Sequence, residues 1–309
     1  MAAGLSPSLT ALVHTGLALA LAPLLLGVTN RTKAWVAGRQ GQPLLQNYFD
    51  LAKLLQKGAV YSVTTTWVFR AGPTVSLTAI ALALALTPFG GAPAALFFEG
   101  DFLLFAGALA LARFVTVLAA LDTGSSFEGM GASREVQFAA LAEPVLLIAL
   151  AALARIAGSG SLTGMFLGIS IGEAGWRVPA LAALAVALAL VFLTENARIP
   201  IDDPNTHLEL TMIHEVMVLD HSGPDLAFIH YGAALKYWVL GALVVGVALP
   251  VRLEHAWLNT LVGMGGMLAI AIATGLIEAT MARLRLLRVP QMLVGGIALC
   301  AVALALVLG

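Results

Sequence analysis

The chain of 309 residues is 60% apolar and 11% charged, and its 16 lysines and arginines against 17 acids leave a net charge of −1. Because a soluble domain is about 45–50% apolar and about 25% charged, this composition excludes an ordinary soluble enzyme and indicates a protein embedded in lipid. The balanced charge gives no indication of nucleic-acid binding. The single cysteine, Cys300, excludes an internal disulfide and a cysteine-ligated metal or iron–sulfur site built by this chain alone.

Apolar stretches long enough to cross a membrane recur along the whole chain. A helical span needs about 20 mainly apolar residues, and open strands cannot exist in lipid, so even the alternating run ALALALTPF at 81–89 is predicted as helix. The Gly- and Ser-rich segment 158–176 is predicted as an interfacial or re-entrant piece. We therefore predict an all-α integral membrane protein, one polytopic domain over 1–309 with about eight transmembrane helices. The predicted spans are 8–27, 73–95, 101–121, 136–157, 178–195, 232–251, 256–279 and 290–308.

Lysines and arginines orient these spans. The first cation is Arg31, so no basic region precedes the first apolar run, and we interpret that run as a retained span rather than a cleaved signal peptide. Most other cations fall on one side, whereas the loops of the opposite side hold Arg155, Arg177 and Arg252. The positive-inside rule therefore predicts that both termini lie outside. The predicted cytoplasmic loops are 28–72, 122–135, 196–231 and 280–289.

The first cytoplasmic loop contains a predicted surface helix. From Pro43 to Lys57 the apolar side chains recur at helical spacing, while Asn47, Asp50 and Lys53 fall elsewhere. This pattern predicts an amphipathic helix lying along the membrane face. The same pattern is typical of an ordinary surface helix, and a helix with basic residues can also line the mouth of a cavity.

The second loop, 121–144, combines a flexible backbone with an acid at membrane depth. Three glycines leave the backbone free to bend, and Ser133 is predicted to cap a helix that begins at Arg134. Glu143 lies two to three turns into that helix, where a carboxylate costs about 2.5–3.5 kcal/mol and marks a candidate functional site. The alternative is a structural ion pair between Glu143 and an arginine of another span, for instance Arg113.

The third loop, 194–230, is the densest polar stretch of the chain. Asp203 before Pro204 predicts an N-cap, with a helix that runs to about Asp220 and ends at Gly223. Three histidines spaced by seven would share one helical face about 10.5 Å apart, too far for one metal but compatible with a water-bridged proton path. The alternative is a solvated polar face. These histidines are His207, His214 and His221.

Together the three loops resemble one known family. GRQGQPLLQNYFDLAKLL at 38–55 resembles the first cytoplasmic loop of the subunit of NADH:quinone oxidoreductase (complex I) that lies next to the quinone chamber. LDTGSSFEGMGASRE at 121–135 and ENARIPIDDPNTHLELTMIHEVMVLDHSG at 195–223 are more similar to the counterpart subunit of membrane-bound nickel–iron hydrogenases and formate hydrogenlyase, including hydrogenase-4-like complexes. The similarity covers residues 35–230, and the span count fits the rest.

The resemblance implies a subunit that is not catalytic by itself. It would anchor a peripheral arm with a nickel–iron large subunit and a small iron–sulfur (4Fe–4S) subunit. It would carry redox-driven changes to antiporter-like subunits that move H⁺ or Na⁺ across a bacterial or archaeal cytoplasmic membrane. This chain would itself hold no cofactor or metal. Where complex I subunits have a Glu-rich stretch after the proline, this chain has NTHLELTMIHE, which argues against quinone binding and favours the hydrogenase type.

The resemblance also implies which residues act, because buried carboxylates in the family form an acidic passage into the membrane. The predicted proton or ion relay comprises Glu143, Glu195, Glu209, Glu215 and His214. The residues predicted for docking and for the mouth of the cavity are Arg39, Asp50, Arg70, Asp122, Arg134, Glu135, Arg198, Asp202, Asp203 and Asp220. Two alternatives stay open: a complex I subunit that forms the quinone site, and a self-contained secondary transporter. The transporter is disfavoured because the acids cluster towards one face and no two halves match.

Overall fold

The computed structural model describes residues 7–169, 177–202, 213–250 and 252–308, and these ranges contain helices and no strand. Eight of the described helices are long and apolar enough to cross a membrane, whereas α2 and α6 are short. The predicted all-α membrane fold with eight transmembrane helices is therefore confirmed. The helices are α1 (Pro7–Val36), α2 (Gln46–Leu55), α3 (Trp67–Ala85), α4 (Asp101–Asp122), α5 (Ser126–Ala157), α6 (Leu162–Gly168), α7 (Arg177–Glu195), α8 (Gly223–Ala248), α9 (Ala256–Thr280) and α10 (Val289–Leu308).

Helix α8 lies at the centre of the bundle. It packs against α1, α2, α3, α7 and α9, and its Tyr237 and Trp238 are the largest fully buried side chains of the described ranges. A mostly apolar helix can be enclosed in this way without leaving many polar groups unpaired. Helix α4 packs on α5, α5 on α7 and α7 on α8. Charged side chains on the facing sides of these four helices can therefore meet in a shared interior.

Helix α2 is fastened to α1 where a proline interrupts the hydrogen bonding of α1. Pro23 has no N–H, so the carbonyl of Leu19 one turn earlier loses its helical donor. The Tyr231 hydroxyl donates to that carbonyl at 2.8 Å, and the Asn47 amide of α2 donates to the Pro23 carbonyl at 3.0 Å. The predicted amphipathic helix is present over Gln46–Leu55, and these bonds fix its position against the bundle.

Helix α3 ends earlier than predicted. It stops at Ala85, so only the first part of the run 81–89 is helical. Pro88 lacks an N–H, and Gly90 has a φ of 57°, so the chain turns here instead of continuing as a helix. At the other end α3 begins before the predicted span, because the Thr66 side chain accepts a hydrogen bond from the Val68 N–H and caps the helix.

The Gly- and Ser-rich segment contains a short helix, α6, which begins after Ser161. The Ser161 side chain accepts a hydrogen bond from the Gly164 N–H, which is the usual cap of a helix start. Two acids at the start of α4 fix this corner, since Glu99 accepts from the Gly160 N–H at 2.7 Å and Asp101 accepts from the Leu162 N–H at 2.6 Å. Residues 170–176 lie outside the described ranges.

The predicted cap at Ser133 is wrong. Helix α5 already begins at Ser126, and the Ser133 hydroxyl instead donates to a carbonyl one turn earlier within the helix. Gly131 lies inside this helix, and its lack of a side chain serves the close approach of a neighbouring loop rather than a bend. A Cβ on Gly131 would lie 2.8 Å from the Ile213 carbonyl oxygen, so a glycine permits this contact.

The helix predicted over 203–220 is wrong where the structure describes it. Residues 203–212 lie outside the described ranges, and the part that follows holds a single 3-10 turn, Glu215–Val218. Gly223, the predicted end of that helix, instead begins α8. Its φ is 56° and a Cβ would lie 2.6 Å from the Gly58 carbonyl oxygen, so this close approach requires glycine.

The predicted row of histidines along one helical face is wrong for the two that the structure describes. His214 precedes the 3-10 turn and His221 follows it, so no helix aligns them. The His221 ring instead stacks on Phe69 with 3.9 Å between ring centroids. His207 lies outside the described residues. A proton path through this loop therefore cannot follow a helical row that includes His214 and His221.

Candidate functional site

Arg113 of α4 lies among three carboxylates inside the bundle. It forms an ion pair with Glu143 of α5, its Nη2 lies 2.8 Å from Glu195 Oε1 of α7, and its Nε lies 3.6 Å from Glu135 Oε1 of α5. Lys236 of α8 adds a second cation, with its Nζ 3.9 Å from Glu195 Oε2. The Glu195 side chain is 7% exposed and that of Glu143 42%. We call these five residues the central cluster.

The central cluster contains more acids than bases. When all groups are ionised, its two cations and three carboxylates sum to a charge of −1, and one bound proton brings the sum to zero. Charges inside a membrane protein are tolerated when they are paired in this way, and unpaired intramembrane acids typically mark proton pathways. The ion pair of Glu143 with Arg113, the structural alternative from the sequence, is therefore present within a set that can also hold an exchangeable proton.

A further buried carboxylate belongs to α9. Glu278 is fully enclosed, with Oε1 3.2 Å from Arg198 Nη1 and Oε2 3.5 Å from Lys33 Nζ of α1. The guanidinium of Arg198 lies over the Tyr237 ring, 5.6 Å from its centroid. We call these four residues the α9 cluster. It lies beside the loop that follows α7, on a different set of helices from the carboxylates that surround Arg113.

Asp202 fastens the two described ends of the third loop to each other. Its carboxylate accepts hydrogen bonds from the backbone N–H groups of Ile213 at 3.0 Å and His214 at 3.3 Å. Its other oxygen lies 3.1 Å from Arg283 Nη2, in the segment between α9 and α10. Because Asp202 is itself buried, it holds this loop against the bundle from within.

A cavity of about 480 Å³ opens between α1, α2, α8 and the third loop. Small-molecule sites typically measure about 300–1,000 Å³, so its size suits a ligand or a body of water. Apolar side chains line much of it, and charged groups from α2 and from the third loop line the rest. Its polar lining includes Asp50 and Lys53 of α2, and Arg198, Asp202, His214 and Glu215 of the third loop. We call this space the large cavity.

Two small cavities lie between the large cavity and the central cluster. One of about 40 Å³ is lined by Arg198, His214, Glu195 and Lys236. Another of about 40 Å³ is lined by His214, Lys236 and Arg113. Because one water needs about 10–15 Å³, each has room for water. His214 lines both of them and the large cavity as well, so it stands at their junction.

His214 and His221 of the third loop are uncharged near neutral pH. Burial, together with the positive charges of Lys236 and His230, lowers the pKa of His214 to about 3. Burial also lowers the pKa of His221 to about 4. A neutral imidazole donates from one ring nitrogen and accepts at the other. His214 can therefore link waters of adjoining cavities without adding a charge that would repel a proton.

Acid should loosen the third loop. Both imidazoles have a lower pKa in the folded protein than the value of 6.5 of an exposed histidine, so their contribution to stability is complete above pH 6.5 and is lost as the pH falls towards 4 and 3. We expect a lower thermal unfolding midpoint at pH 5 than at pH 7. The variant His221→Phe keeps the stacking on Phe69 without titrating, so its midpoint should fall less. An equal fall in both proteins would contradict this assignment.

The structure brings several predicted relay residues together. Glu143 and Glu195 contact the same arginine, although they lie on different helices. His214 stands between them and the large cavity, and Glu215 lines that cavity. Glu209 lies outside the described residues. The described members of the predicted relay thus either contact Arg113 or line adjoining cavities, and their role as a relay stays a prediction.

The residues predicted for docking and for the cavity mouth separate into different places. Asp50, Arg198 and Asp202 line the large cavity. Glu135 instead faces the interior of the bundle as a member of the central cluster. Asp203 lies outside the described residues.

The other predicted mouth residues are not part of the described lining of the large cavity. Asp122 accepts hydrogen bonds from two backbone N–H groups at the start of α3, at 2.6 and 3.3 Å, so it stabilises that helix end. Arg70 lies over a tyrosine ring at 4.6 Å. Arg134 is half-buried, with its Nη2 2.9 Å from the sulfur of the methionine one turn earlier. Arg39 and Asp220 are exposed, which keeps them available to a partner.

The sequence analysis missed Lys236, Glu278 and Lys33. Lys236 and Glu278 lie in the predicted spans 232–251 and 256–279, and the rule that a charged side chain inside an apolar helix marks a functional site would have found both. Lys33 was missed for another reason. It follows the predicted end of the first span, but α1 continues through it and carries it to the side of Glu278.

Comparison with known proteins identifies relatives over nearly the whole chain. The family model described as NADH dehydrogenase matches residues 9–309. Hydrogenase-4 component C of Escherichia coli (strain K12) is 33% identical over 307 residues, which cover 95% of this chain and 93% of that protein. Formate hydrogenlyase subunit 4 of the same organism is 32% identical over 280 residues, 86% of this chain and 88% of that protein.

The fold also occurs in an archaeal respiratory membrane complex, the membrane-bound sulfane sulfur reductase. One of its chains superposes with a TM-score of 0.82 over 98% of this chain and 100% of that chain, at 19% identity. At that identity the likeness shows the fold alone, whereas the similarity to the two bacterial relatives shows common ancestry with this chain. The predicted family is confirmed: the chain belongs to the NADH dehydrogenase family of membrane subunits and is homologous to hydrogenase-4 component C and formate hydrogenlyase subunit 4.

Proposed function

We propose that this chain is the membrane-anchor and coupling subunit of a multi-subunit respiratory-type hydrogenase complex. It would dock a peripheral arm and link the redox reaction of that arm to translocation of H⁺ or Na⁺. One observation carries the proposal. Titratable and charged side chains follow each other from the large cavity through His214 to the central cluster and Glu143, with room for water between them.

The proposed route begins in the large cavity and passes His214 to reach the central cluster. There one proton is shared among three carboxylates that face two cations. Glu143 is the most exposed member, at 42%, although it lies well within the long helix α5. A carboxylate that faced lipid there would be costly, so we propose that an antiporter-like subunit covers it and receives the proton.

The partners are tested by copurification. The relatives are named as a component and a subunit of larger enzymes, so we expect this chain to purify from mild detergent with others. The expected set is a large subunit with nickel–iron cysteine motifs, an iron–sulfur subunit and antiporter-like membrane subunits. Asp220→Lys, which reverses an exposed charge of the third loop, should weaken retention of the large subunit. A chain that purifies alone and moves ions by itself would support a secondary transporter instead.

The orientation is tested with reporter fusions. Because lysines and arginines concentrate in the loops on one side, we propose that these loops lie in the cytoplasm and that both termini lie outside. Fusions after residues 60, 210 and 286 should then report the cytoplasm, and a fusion at 309 should report the outside. A cytoplasmic report from residue 309 would contradict the eight-span topology.

A complex I type subunit with a quinone site is the second candidate, and the large cavity is the observation in its favour. Its volume of about 480 Å³ and its mixed apolar and charged walls would accommodate a quinone head group. Reduction of a short-chain quinone by the purified complex, inhibited by His214→Ala, would support this candidate. Hydrogen evolution without quinone reduction would support the hydrogenase type.

A further inference from the structure

The α9 cluster is not part of the proposed route, yet it holds a carboxylate that is entirely enclosed. The Glu278 side chain is 0% exposed and lies between Arg198 and Lys33, while the Lys33 side chain is 26% exposed. An enclosed carboxylate is tolerated when cations or hydrogen-bond donors pair with it, and Glu278 is paired with two cations. Hydrophobic replacement of such ion pairs is often neutral for stability, so a purely structural reason for these charges is weak.

Arg198 is the member of the α9 cluster that reaches the proposed route. It lines the large cavity, and it also lines the small cavity that contains Glu195 and Lys236. A guanidinium carries five N–H donors and stays charged at every pH that proteins tolerate. The buried Nε of Arg198 makes no hydrogen bond to any described residue, so this donor is left for water. A permanent positive charge therefore stands where the two spaces meet.

Two contacts fix this guanidinium in place. Glu278 accepts from its Nη1 at 3.2 Å, and the Tyr237 ring lies against its face. The tyrosine is itself held, since its hydroxyl lies 3.2 Å from Thr29 Oγ1 and 3.1 Å from Thr274 Oγ1. Helices α1, α8 and α9 thus all take part in setting the position of one arginine.

We propose that Glu278 is a positioning residue that holds Arg198 as a barrier to proton leak between Glu195 and the large cavity. An excess proton that crossed the shared small cavity in either direction would pass beside the fixed guanidinium. Like charges repel strongly where little water screens them, so that direct path is closed. The second small cavity is also lined by a guanidinium, that of Arg113, but this one faces three carboxylates, so proton transfer is left to that cavity and to His214. This role rests on the proposed function.

The test is the number of ions moved per electron transferred by the assembled complex in sealed vesicles. Glu278→Gln frees Arg198 from its anchor and should lower this ratio at least about threefold, the effect of roughly 0.6 kcal/mol on a rate, with electron transfer unchanged. Glu278→Asp keeps the charge and should restore most of the ratio. The matched control is Asp101→Asn, because Asp101 is also a fully buried carboxylate but accepts only from the backbone N–H groups of Phe98 and Leu162 among the bonds described. It should leave the ratio unchanged.

The outcomes separate the two proposals. If Glu278→Gln does not assemble, the double variant Glu278→Gln/Arg198→Gln removes both enclosed charges and should assemble, because the remaining cation that loses Glu278 as a partner, Lys33, has a side chain that is 26% exposed. It too should show the lower ratio. A normal ratio in Glu278→Gln or in the double variant, beside a low ratio in Glu195→Gln, overturns the positioning role alone. A normal ratio in Glu195→Gln overturns the proposed function, and the role of Glu278 with it.

Discussion

Glu195→Gln should remove most ion translocation from the assembled complex while leaving electron transfer at the peripheral arm intact. Glu195 faces both cations of the central cluster, with Arg113 Nη2 at 2.8 Å and Lys236 Nζ at 3.9 Å. Glutamine keeps the volume and most hydrogen bonds but cannot carry the proton. We expect translocation to fall at least about tenfold, the effect of roughly 1.4 kcal/mol on a rate. Glu143→Gln should behave in the same way.

The measurement uses sealed vesicles with a pH- or potential-sensitive dye, beside electron transfer to an artificial acceptor. Glu128→Gln is the matched control. Glu128 is a buried acid of α5 that accepts a hydrogen bond from the Asp220 N–H at 3.3 Å and does not contact Arg113. It should translocate ions normally. Normal translocation by Glu195→Gln and Glu143→Gln would show that both acids are structural and that the relay lies elsewhere.

Arg113→Leu should prevent accumulation of the folded chain. The substitution removes the cation that forms ion pairs with all three carboxylates of the central cluster. Lys236 cannot replace this cation, because Glu195 is the one carboxylate of the three within ion-pair distance of its Nζ. Breaking a buried ion pair by removing one partner costs about 3–5 kcal/mol, which is a large share of the stability of most proteins. Arg113→Lys keeps the charge but cannot bridge all three acids, so an intermediate loss is expected.

The measurement is the amount of monodisperse chain extracted from membranes and its thermal unfolding midpoint. A compensating variant separates charge from packing. Arg113→Leu combined with Glu143→Gln and Glu195→Gln removes two of the three stranded carboxylates. It leaves Glu135 and Lys236, whose charges sum to zero, so most of the lost protein should return. Wild-type amounts of Arg113→Leu alone would mean that water or lipid, rather than Arg113, balances these acids.

The candidate site was predictable from the sequence in two of its acids. Glu143 and Glu195 stand out because each lies within or at the end of an apolar helix, where a carboxylate is costly. The sequence offers Arg113 only as one possible partner of Glu143, and it gives no sign that Glu195 shares this arginine. Arg113 is 30 residues from Glu143 and 82 from Glu195, and no periodicity within one helix relates positions so far apart. Arg198 and Glu278, separated by 80 residues, are the same case.

The third loop shows that contacts with neighbouring segments can override local helix signals. Asp203 followed by proline is a good helix start, and glycine is a good helix end, so the sequence favours a helix over 203–220. In the described residues 213–220, two contacts with other parts of the chain oppose a helix. The Asp202 carboxylate takes the N–H groups of Ile213 and His214, and Gly223 lies against the backbone of Gly58.

The sequence by itself determined the membrane class, the eight spans and the family, because the length and apolarity of a span are local properties and long ordered motifs seldom match by accident. Only the tertiary structure decided which charges meet. The pattern of residues along a helix predicts how deep in the membrane a side chain lies and on which side of the helix. Its partner on another helix depends on which helices pack together and on their relative shift along their axes. In this protein α8 at the centre brings Lys236 to Glu195, and α9 beside α1 brings Glu278 to Lys33 and Arg198.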